Sequence, residues 1–122
     1  MISLAELNPH NYETTAEIDA NLAELLNRIN VIRTAFNRPM TVTSGLRSEA
    51  DQMRINPSAP KSKHLIGAAC DVSDPHLELT AWLKGDGAEV LADAGLYCEE
   101  GNKNWVHFQC IPPGSGHRWF LP

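Results

Sequence analysis

Several features that mark large classes of proteins are missing from this sequence of 122 residues. No apolar run approaches the roughly 20 residues of a membrane-spanning helix. The formal net charge of −5 leaves no basic excess for nucleic-acid phosphates or an anionic membrane surface. The first residues lack a basic segment followed by an apolar one, so no signal peptide is evident and we expect synthesis in the cytoplasm. We therefore expect neither nucleic acid nor a membrane span among the partners of this chain.

Cysteine is also scarce. Only Cys70, Cys98 and Cys110 are present, an odd number without a Cys-x-x-Cys pair, which indicates free thiols. A chain of this length can bury a sufficient core without disulfides. The apolar and charged fractions, 43% and 20%, are those of an ordinary globular protein. We predict one domain, residues 1–122, that functions as a monomer.

The most regular pattern predicts a long amphipathic helix. Thr14 and Glu17 have the spacing of a capping box. Apolar residues then recur at helical spacing, at Ile18, Leu22, Leu25, Leu26, Ile29, Ile32 and Phe36. Pro39 predicts the end of the helix, because proline disfavours the helical conformation of the residue before it. Residues 1–11 read as an irregular lead-in.

The remaining elements are shorter. The residue patterns predict a strand at 40–43, a helix from Ser48, a loop at 56–60, a strand at 68–72, a helical segment that begins at Asp74-Pro75 and is interrupted at 85–87, and a hairpin of 96–99 with 104–110. This order predicts an α+β fold with a small, mostly antiparallel sheet, a long N-terminal helix and two further helices.

Residues 62–71 contain the first candidate functional groups. His64 precedes Asp71 by seven residues, and the residues between them are apolar and mostly small, so the segment enters the core. Burying these two polar groups is costly unless something binds them. Zinc accepts nitrogen and oxygen ligands, and His107 in the late strand offers a third. Three ligands with an open position are typical of catalytic zinc.

Side-chain alternation adds a carboxylate to this candidate site. Trp105, His107 and Gln109 share one strand face, and Tyr97 and Glu99 share a face of the partner strand. Pairing of the two strands would place Glu99 beside His107. Zinc lowers the pKa of a bound water, and a nearby carboxylate can take its proton and return it to the leaving amine. Alternatively, Glu99 is a solvated hairpin residue.

Three blocks, residues 43–48 (TSGLRS), 62–71 (SxHxxGxAxD) and 105–107 (WVH), resemble the zinc D-alanyl-D-alanine metallopeptidase family. That family includes D-Ala-D-Ala carboxypeptidases and dipeptidases as well as peptidoglycan endopeptidases such as phage endolysins. Its fold is shared by the signalling domain of hedgehog proteins. The resemblance runs from about residue 40 to the C-terminus, and the long helix is compatible with it.

The resemblance implies roles for individual residues. It makes His64, Asp71 and His107 the ligands of one zinc ion per chain. It implies that Arg47 grips a substrate carboxylate or stabilises the developing oxyanion, and that Ser62 lines the same cleft.

The catalytic glutamate is less directly implied. Many relatives place it three residues before the last histidine, where this chain has Asn104. Others place it at the end of the preceding strand, where Glu99 and Glu100 stand. We prefer Glu99, which follows the strand directly, and keep Glu100 as the alternative. His117 lies in a glycine-rich tail that could fold over the cleft.

The function implied by the resemblance is that of a zinc-dependent peptidase. Its substrate would be a peptide bond in the peptidoglycan stem or cross-bridge, cut by a carboxypeptidase or an endopeptidase. Its setting would be that of a phage or prophage lysis enzyme that reaches the cell wall after release by a holin. The alternative is a non-catalytic, zinc-stabilised binding domain of the same fold.

Overall fold

The computed structural model describes residues 1–122 and has the α+β architecture that the sequence predicts. The helices are α1 (Leu4–Leu7), α2 (Ala16–Phe36), α3 (Glu49–Ile55), α4 (Glu78–Lys84) and α5 (Ala88–Ala94), with a 3-10 turn at Lys63–Ile66. The strands are β1 (Val42–Ser44), β2 (Ala69–Ser73), β3 (Tyr97–Glu99), β4 (Trp105–Gln109) and β5 (Trp119–Phe120). No helix combines the length and apolar character that a membrane span needs.

Helix α2 is the long predicted helix, and its apolar stripe enters the core. Its fully buried side chains are Leu22, Leu25, Ile29 and Ile32. The predicted capping box is wrong by one residue, because Thr15 caps the helix by accepting a hydrogen bond from the Ile18 N–H at 3.2 Å. The helix ends at Phe36, in agreement with the proline signal.

The expectation of an irregular lead-in over residues 1–11 is wrong. Ser3 caps α1, and Leu7 at the end of this helix is completely buried. The Leu7 carbonyl accepts a hydrogen bond from the Leu46 N–H at 2.7 Å. The N-terminal segment therefore packs directly against the segment that follows β1.

The five strands form one sheet in the order β1-β2-β4-β3-β5. The first three pairings are antiparallel, and β5 pairs with β3 in parallel. The predicted hairpin of β3 and β4 is confirmed. Strand β5 was not predicted: it adds the glycine-rich tail to the sheet edge through bonds such as Cys98 N–H to the Arg118 carbonyl at 2.8 Å.

Alternation along the two central strands separates the core from the site. Cys70 and Val72 of β2 belong to the core, as do Val106 and Phe108 of β4. The intervening residues of both strands project from the opposite face of the sheet. The polar residues of that face are collected in one place because β2 and β4 pair over their full length.

The predicted helix start at Asp74-Pro75 is also wrong. Helix α4 begins at Glu78, and the residues before it form a turn. Asp74 nevertheless stabilises this helix end, because its carboxylate accepts hydrogen bonds from the N–H groups of Leu79 at 3.0 Å and Thr80 at 2.9 Å. The predicted interruption at 85–87 separates α4 from α5.

Candidate metal centre

Three polar side chains converge on the face of the sheet opposite the core. The strand register places Asp71 of β2 directly opposite His107 of β4. The 3-10 turn brings His64 to the same point. Asp71 Oδ1 lies 3.2 Å from His64 Nε2 and 3.0 Å from His107 Nδ1, and the three ligand atoms all lie within 4.8 Å of one another. All three residues are buried.

The local structure fixes the orientation of His64. Its Nδ1 lies 2.8 Å from the Gly45 carbonyl oxygen. A backbone carbonyl can only accept, so Nδ1 carries the proton and the Nε2 lone pair faces Asp71. The turn itself is capped by Ser62, whose Oγ accepts from the His64 N–H at 3.2 Å, and it ends at Gly67 in the left-handed conformation.

His107 is held in the complementary orientation. Its Nε2 lies 2.9 Å from Gln109 Oε1, and the Gln109 amide donates from Nε2 to the Ile111 carbonyl at 2.8 Å. This second bond turns Oε1 toward the imidazole, so His107 donates from Nε2 and its Nδ1 lone pair faces Asp71. Sequence reasoning placed Gln109 on the same face but gave it no role. Its position two residues after a candidate ligand on one strand was the available signal.

These residues fit a zinc ion. Two ligands about 2.0 Å from a tetrahedral ion lie about 3.3 Å apart, close to the separations of Asp71 Oδ1 from the two histidine nitrogens. With the tautomers fixed as above, two lone pairs and a carboxylate oxygen face one another. A cation has to lie among them, either a shared proton or a metal.

The electrostatics of the cluster favour a charged carboxylate. Burial alone would raise the pKa of Asp71, but when the histidines carry the shared proton their hydrogen bonds outweigh burial and hold that pKa well below its usual range. Burial would lower the pKa of His107, but the hydrogen bond and charge of Asp71 raise it. Asp71 therefore stays ionised and offers its negative charge to a cation.

Arg47 lies beside the cluster, as predicted, and contacts the ligand carboxylate. Its guanidinium donates from Nε to Ser44 Oγ at 2.9 Å, from Nη1 to Gln52 Oε1 at 2.9 Å and from Nη2 to Asp71 Oδ2 at 3.1 Å. The two oxygens of Asp71 are thus divided between the histidines and the arginine. The proposed contact of Arg47 with substrate stays a prediction.

The cluster lies in an open cavity of about 740 Å³. The predicted site residues Arg47 and Ser62 line this cavity together with the three candidate ligands. Trp105 also lines it and is 39% exposed. The cavity is large enough for a short peptide segment.

Of the two candidate glutamates, Glu99 faces the cavity and Glu100 does not. The β3–β4 register pairs Cys98 with Phe108, so Glu99 stands next to His107 one step further along. Glu99 lines the cavity, whereas Glu100 forms an ion pair with Lys84 at 2.9 Å. Asn104, at the position of the glutamate in other relatives, is exposed and does not line the cavity.

The C-terminal tail does fold against the cleft, although not through His117. That histidine is exposed and lies outside the cavity lining, whereas Phe120 lines it. The Phe120 ring meets the His107 ring edge-on with centroids 6.2 Å apart. Trp119, on the other side of β5, packs half-buried beneath the Lys84 ammonium, which lies 4.4 Å from its ring centroid.

Comparisons with known proteins agree with the motifs. The family model for peptidase M15 matches residues 1–109. Among solved structures, the chain is similar to the Serratia marcescens L-Ala D-Glu endopeptidase ChiX, with a TM-score of 0.51 and 24% identity, over 91% of this chain and 99% of that one. At this identity the likeness establishes the fold alone. No curated protein matches the chain. The chain belongs to the M15 peptidase family.

Proposed function

We propose that this protein is a zinc-dependent peptidase that hydrolyses a peptide bond in the peptidoglycan stem or cross-bridge. The observation that carries the proposal is the convergence of His64, Asp71, His107 and Glu99 in one open cavity of an M15 family member. The similar Serratia structure, an L-Ala D-Glu endopeptidase by its printed description, supports a peptidoglycan peptide as the substrate.

Three atoms would hold the metal: His64 Nε2, Asp71 Oδ1 and His107 Nδ1. When zinc is bound, the chemistry it supplies is that of a Lewis acid, which lowers the pKa of water and polarises a carbonyl group. The protein's own contribution is to hold the ligands ready. Gly45 and Gln109 fix the two imidazole tautomers, so neither ring has to change its tautomer when the metal enters.

Glu99 would act as the general base and then the general acid. Its carboxylate would accept the proton of the attacking water and return it to the leaving amine. In the amide orientation that satisfies both neighbours, Asn102 donates to Glu99 Oε1 at 3.3 Å and accepts from Trp105 Nε1 at 3.2 Å. This contact would hold the half-buried carboxylate next to His107 while leaving its second oxygen free.

Arg47 and Ser62 would assist from the other side of the cavity. Arg47 keeps Asp71 Oδ2 occupied, so that Oδ1 faces the two histidines. A guanidinium has five N–H groups, and the two that are not engaged could stabilise negative charge on the carbonyl oxygen. The Ser62 hydroxyl oxygen already accepts from the His64 N–H, and its hydrogen remains available for a substrate oxygen.

The test is to incubate purified protein with isolated muropeptides and identify the products by mass spectrometry. The wild-type protein should bind one zinc per chain and cleave, and the masses would separate the release of single D-alanine residues from internal cleavage. His107→Ala should lose both zinc and turnover. His117→Ala, in an exposed residue outside the cavity, is the matched control and should keep both.

One outcome would contradict peptidase activity. If the wild-type protein binds zinc but leaves every muropeptide intact, the non-catalytic binding domain becomes the better description.

The wider setting that we propose is a single domain of residues 1–122 in a phage or prophage lysis enzyme, released to the cell wall by a holin. That setting is supported by the resemblance of the motifs alone.

A further inference from the structure

The engagement of Arg47 changes what can bind a substrate carboxylate. Bidentate recognition of a carboxylate needs two parallel N–H groups of the guanidinium fork. All three Arg47 nitrogens already donate to protein acceptors, on Ser44, Gln52 and Asp71. Gln52 is in turn fixed, because it donates to the Ala59 carbonyl at 2.9 Å. The guanidinium is therefore built into the metal site and is poorly placed to grip a carboxylate in two places.

Two other cations line the same cavity. Lys61 and Lys63 both contribute to its lining, and neither ammonium forms an ion pair or a side-chain hydrogen bond with the rest of the chain. Five of the eight other Lys and Arg side chains are paired with carboxylates: Arg28, Arg38, Arg47, Arg54 and Lys84. Lys61 and Lys63 therefore bring two unpaired positive charges to the lining of this cavity, in a chain whose net charge is −5.

The segment that carries these lysines is anchored to the site. Lys63 is the first residue of the 3-10 turn and directly precedes His64. The Arg47 N–H donates to the His64 carbonyl at 3.1 Å, which ties the turn to the segment after β1. The lysine stems therefore start from backbone whose position relative to the candidate ligands is fixed.

Two aromatic side chains also line the cavity, Phe120 of β5 and Trp105 of β4, whereas the lysines lie in the segment just before β2. The two carboxylates in the lining are Asp71, which is engaged by the histidines and Arg47, and Glu99. A peptide in this cavity would thus meet two cations and two aromatic rings beside the candidate metal ligands.

We propose that Lys61 and Lys63 form a subsite for a free carboxylate of the substrate, next to the bond that is cut. This inference rests on the proposed peptidase function and adds a specificity to it. A peptide with a carboxylate at that position binds more tightly than the same peptide with a carboxamide. The carboxylate can be the chain terminus or belong to a glutamyl residue, and both present the same planar anion to the two ammonium groups.

The experiment compares matched acid and amide peptides. One pair differs only at the C-terminus, and a second pair carries either a glutamate α-carboxylate or its amide. The double variant Lys61→Met/Lys63→Met removes both charges but keeps the side-chain length, and Lys61→Arg/Lys63→Arg keeps the charges. Lys103→Met, in an exposed lysine outside the cavity, is the control.

The wild-type protein should prefer the acid member of at least one pair, and that pair identifies the source of the carboxylate. The double methionine variant should raise KM for this acid peptide by about 5- to 10-fold, the effect of losing partly solvated ion pairs. The amide peptide, kcat and the zinc content should not change. The arginine variant should keep the preference, and added salt should weaken it.

An acid-to-amide ratio that is the same in wild type and the double methionine variant would overturn the subsite. A failure of the proposed function is recognised separately, as the absence of turnover by zinc-loaded wild-type protein on all peptides. In that case, calorimetric binding of the same peptide pairs still decides the inference. Equal dissociation constants for acid and amide would refute it, and tighter acid binding that depends on the lysines would support it.

Discussion

The Gln109 side chain accepts a hydrogen bond from His107 Nε2 at 2.9 Å, two residues earlier on β4. The same amide donates to the Ile111 carbonyl at 2.8 Å, so it cannot rotate without losing a bond. This pair decides which nitrogen of His107 faces the metal site. The glutamine is 5% exposed, so water does not readily take its place.

We predict that Gln109→Leu weakens zinc binding by about 10- to 100-fold, the usual effect of losing a partner that orients a ligand. The imidazole would lose its acceptor and with it the preference for the tautomer that presents Nδ1. Competition with a chromogenic chelator measures the affinity. Gln109→Glu keeps an acceptor at the same place and should bind zinc better than the leucine variant. Equal affinities for wild type and Gln109→Leu would contradict this role.

The sequence identified the candidate ligands but not their supports. The sequence was enough to predict these ligands, His64, Asp71 and His107, because their motifs are contiguous and because strand alternation predicts which side chains share a face. The supporting contacts depend on distant segments. The Gly45 carbonyl accepts from the His64 ring, 19 residues away in the sequence. Gln109 can orient His107 only because its amide donates to the Ile111 carbonyl. No local pattern carries that information.

Gly45 illustrates how such a support constrains the sequence. A Cβ at this position would lie 2.2 Å from the Leu7 carbonyl oxygen, which is far inside van der Waals contact. The backbone of α1 approaches so closely because Leu46 N–H bonds to the same carbonyl at 2.7 Å. The adjacent Gly45 carbonyl accepts from His64, so a shift of this segment would also move a candidate ligand.

We therefore predict that Gly45→Ala destabilises the fold by about 1–3 kcal/mol, the range typical of overpacking, and lowers zinc affinity as well. Thermal unfolding with and without zinc measures the two effects. Gly114→Ala is the matched control, because a Cβ there has nothing within 4 Å and the conformation is not left-handed. It should unfold close to the wild-type temperature. A Gly45→Ala protein as stable as the control would show that α1 is not packed here as described.

The thiols provide a prediction that is independent of the metal. Cys70 and Cys98 are fully buried, and burial raises the pKa of each well above its usual value. Burial also raises the pKa of half-buried Cys110 to about 11. The thiolate is the reactive form, and its fraction falls as the pKa rises above the ambient pH.

At pH 8 the folded protein should therefore react slowly with a thiol-specific disulfide reagent, and Cys110 should react first because it is the least buried. In denaturant all three thiols should react rapidly. Absorbance of the released chromophore follows the reaction, and mass spectrometry identifies the modified residue. Fast labelling of Cys70 or Cys98 in the native protein would show that the core near β2 and β3 opens readily.

The two ends of the chain were the least predictable parts of the fold. Residues 1–11 lack periodicity, yet Leu7 is completely buried because α2 and the segment after β1 enclose it. The tail from residue 111 is rich in proline and glycine, yet it forms β5 because the open edge of β3 offers unpaired backbone groups. In both cases a tertiary contact stabilises a structure that the local propensity of the residues does not predict. The tail residue Phe120 thereby reaches the cavity, outside the matched range 1–109.

The final prediction concerns the choice between Glu99 and Glu100. The two residues are consecutive, so strand alternation directs their carboxylates to opposite faces of the sheet. Glu99 lines the cavity beside His107, and Glu100 is held outside it by Lys84 at 2.9 Å. Glu99→Gln keeps the size of the side chain and its ability to hydrogen-bond but removes the group that accepts a proton. Zinc content and thermal stability should therefore be preserved.

Turnover of purified peptidoglycan by Glu99→Gln should fall by about 10²- to 10⁴-fold, the usual contribution of a positioned acid–base group. Glu100→Gln should retain nearly full activity, because its carboxylate serves a partly exposed ion pair that contributes little. Parallel assays of both variants at equal zinc occupancy make the comparison. If the two results are exchanged, Glu100 carries the proton and the strand pairing must shift by one residue near the hairpin. If both variants remain fully active, the proton is moved by a group outside this hairpin, and the role assigned to Glu99 is wrong even though the metal ligands stand.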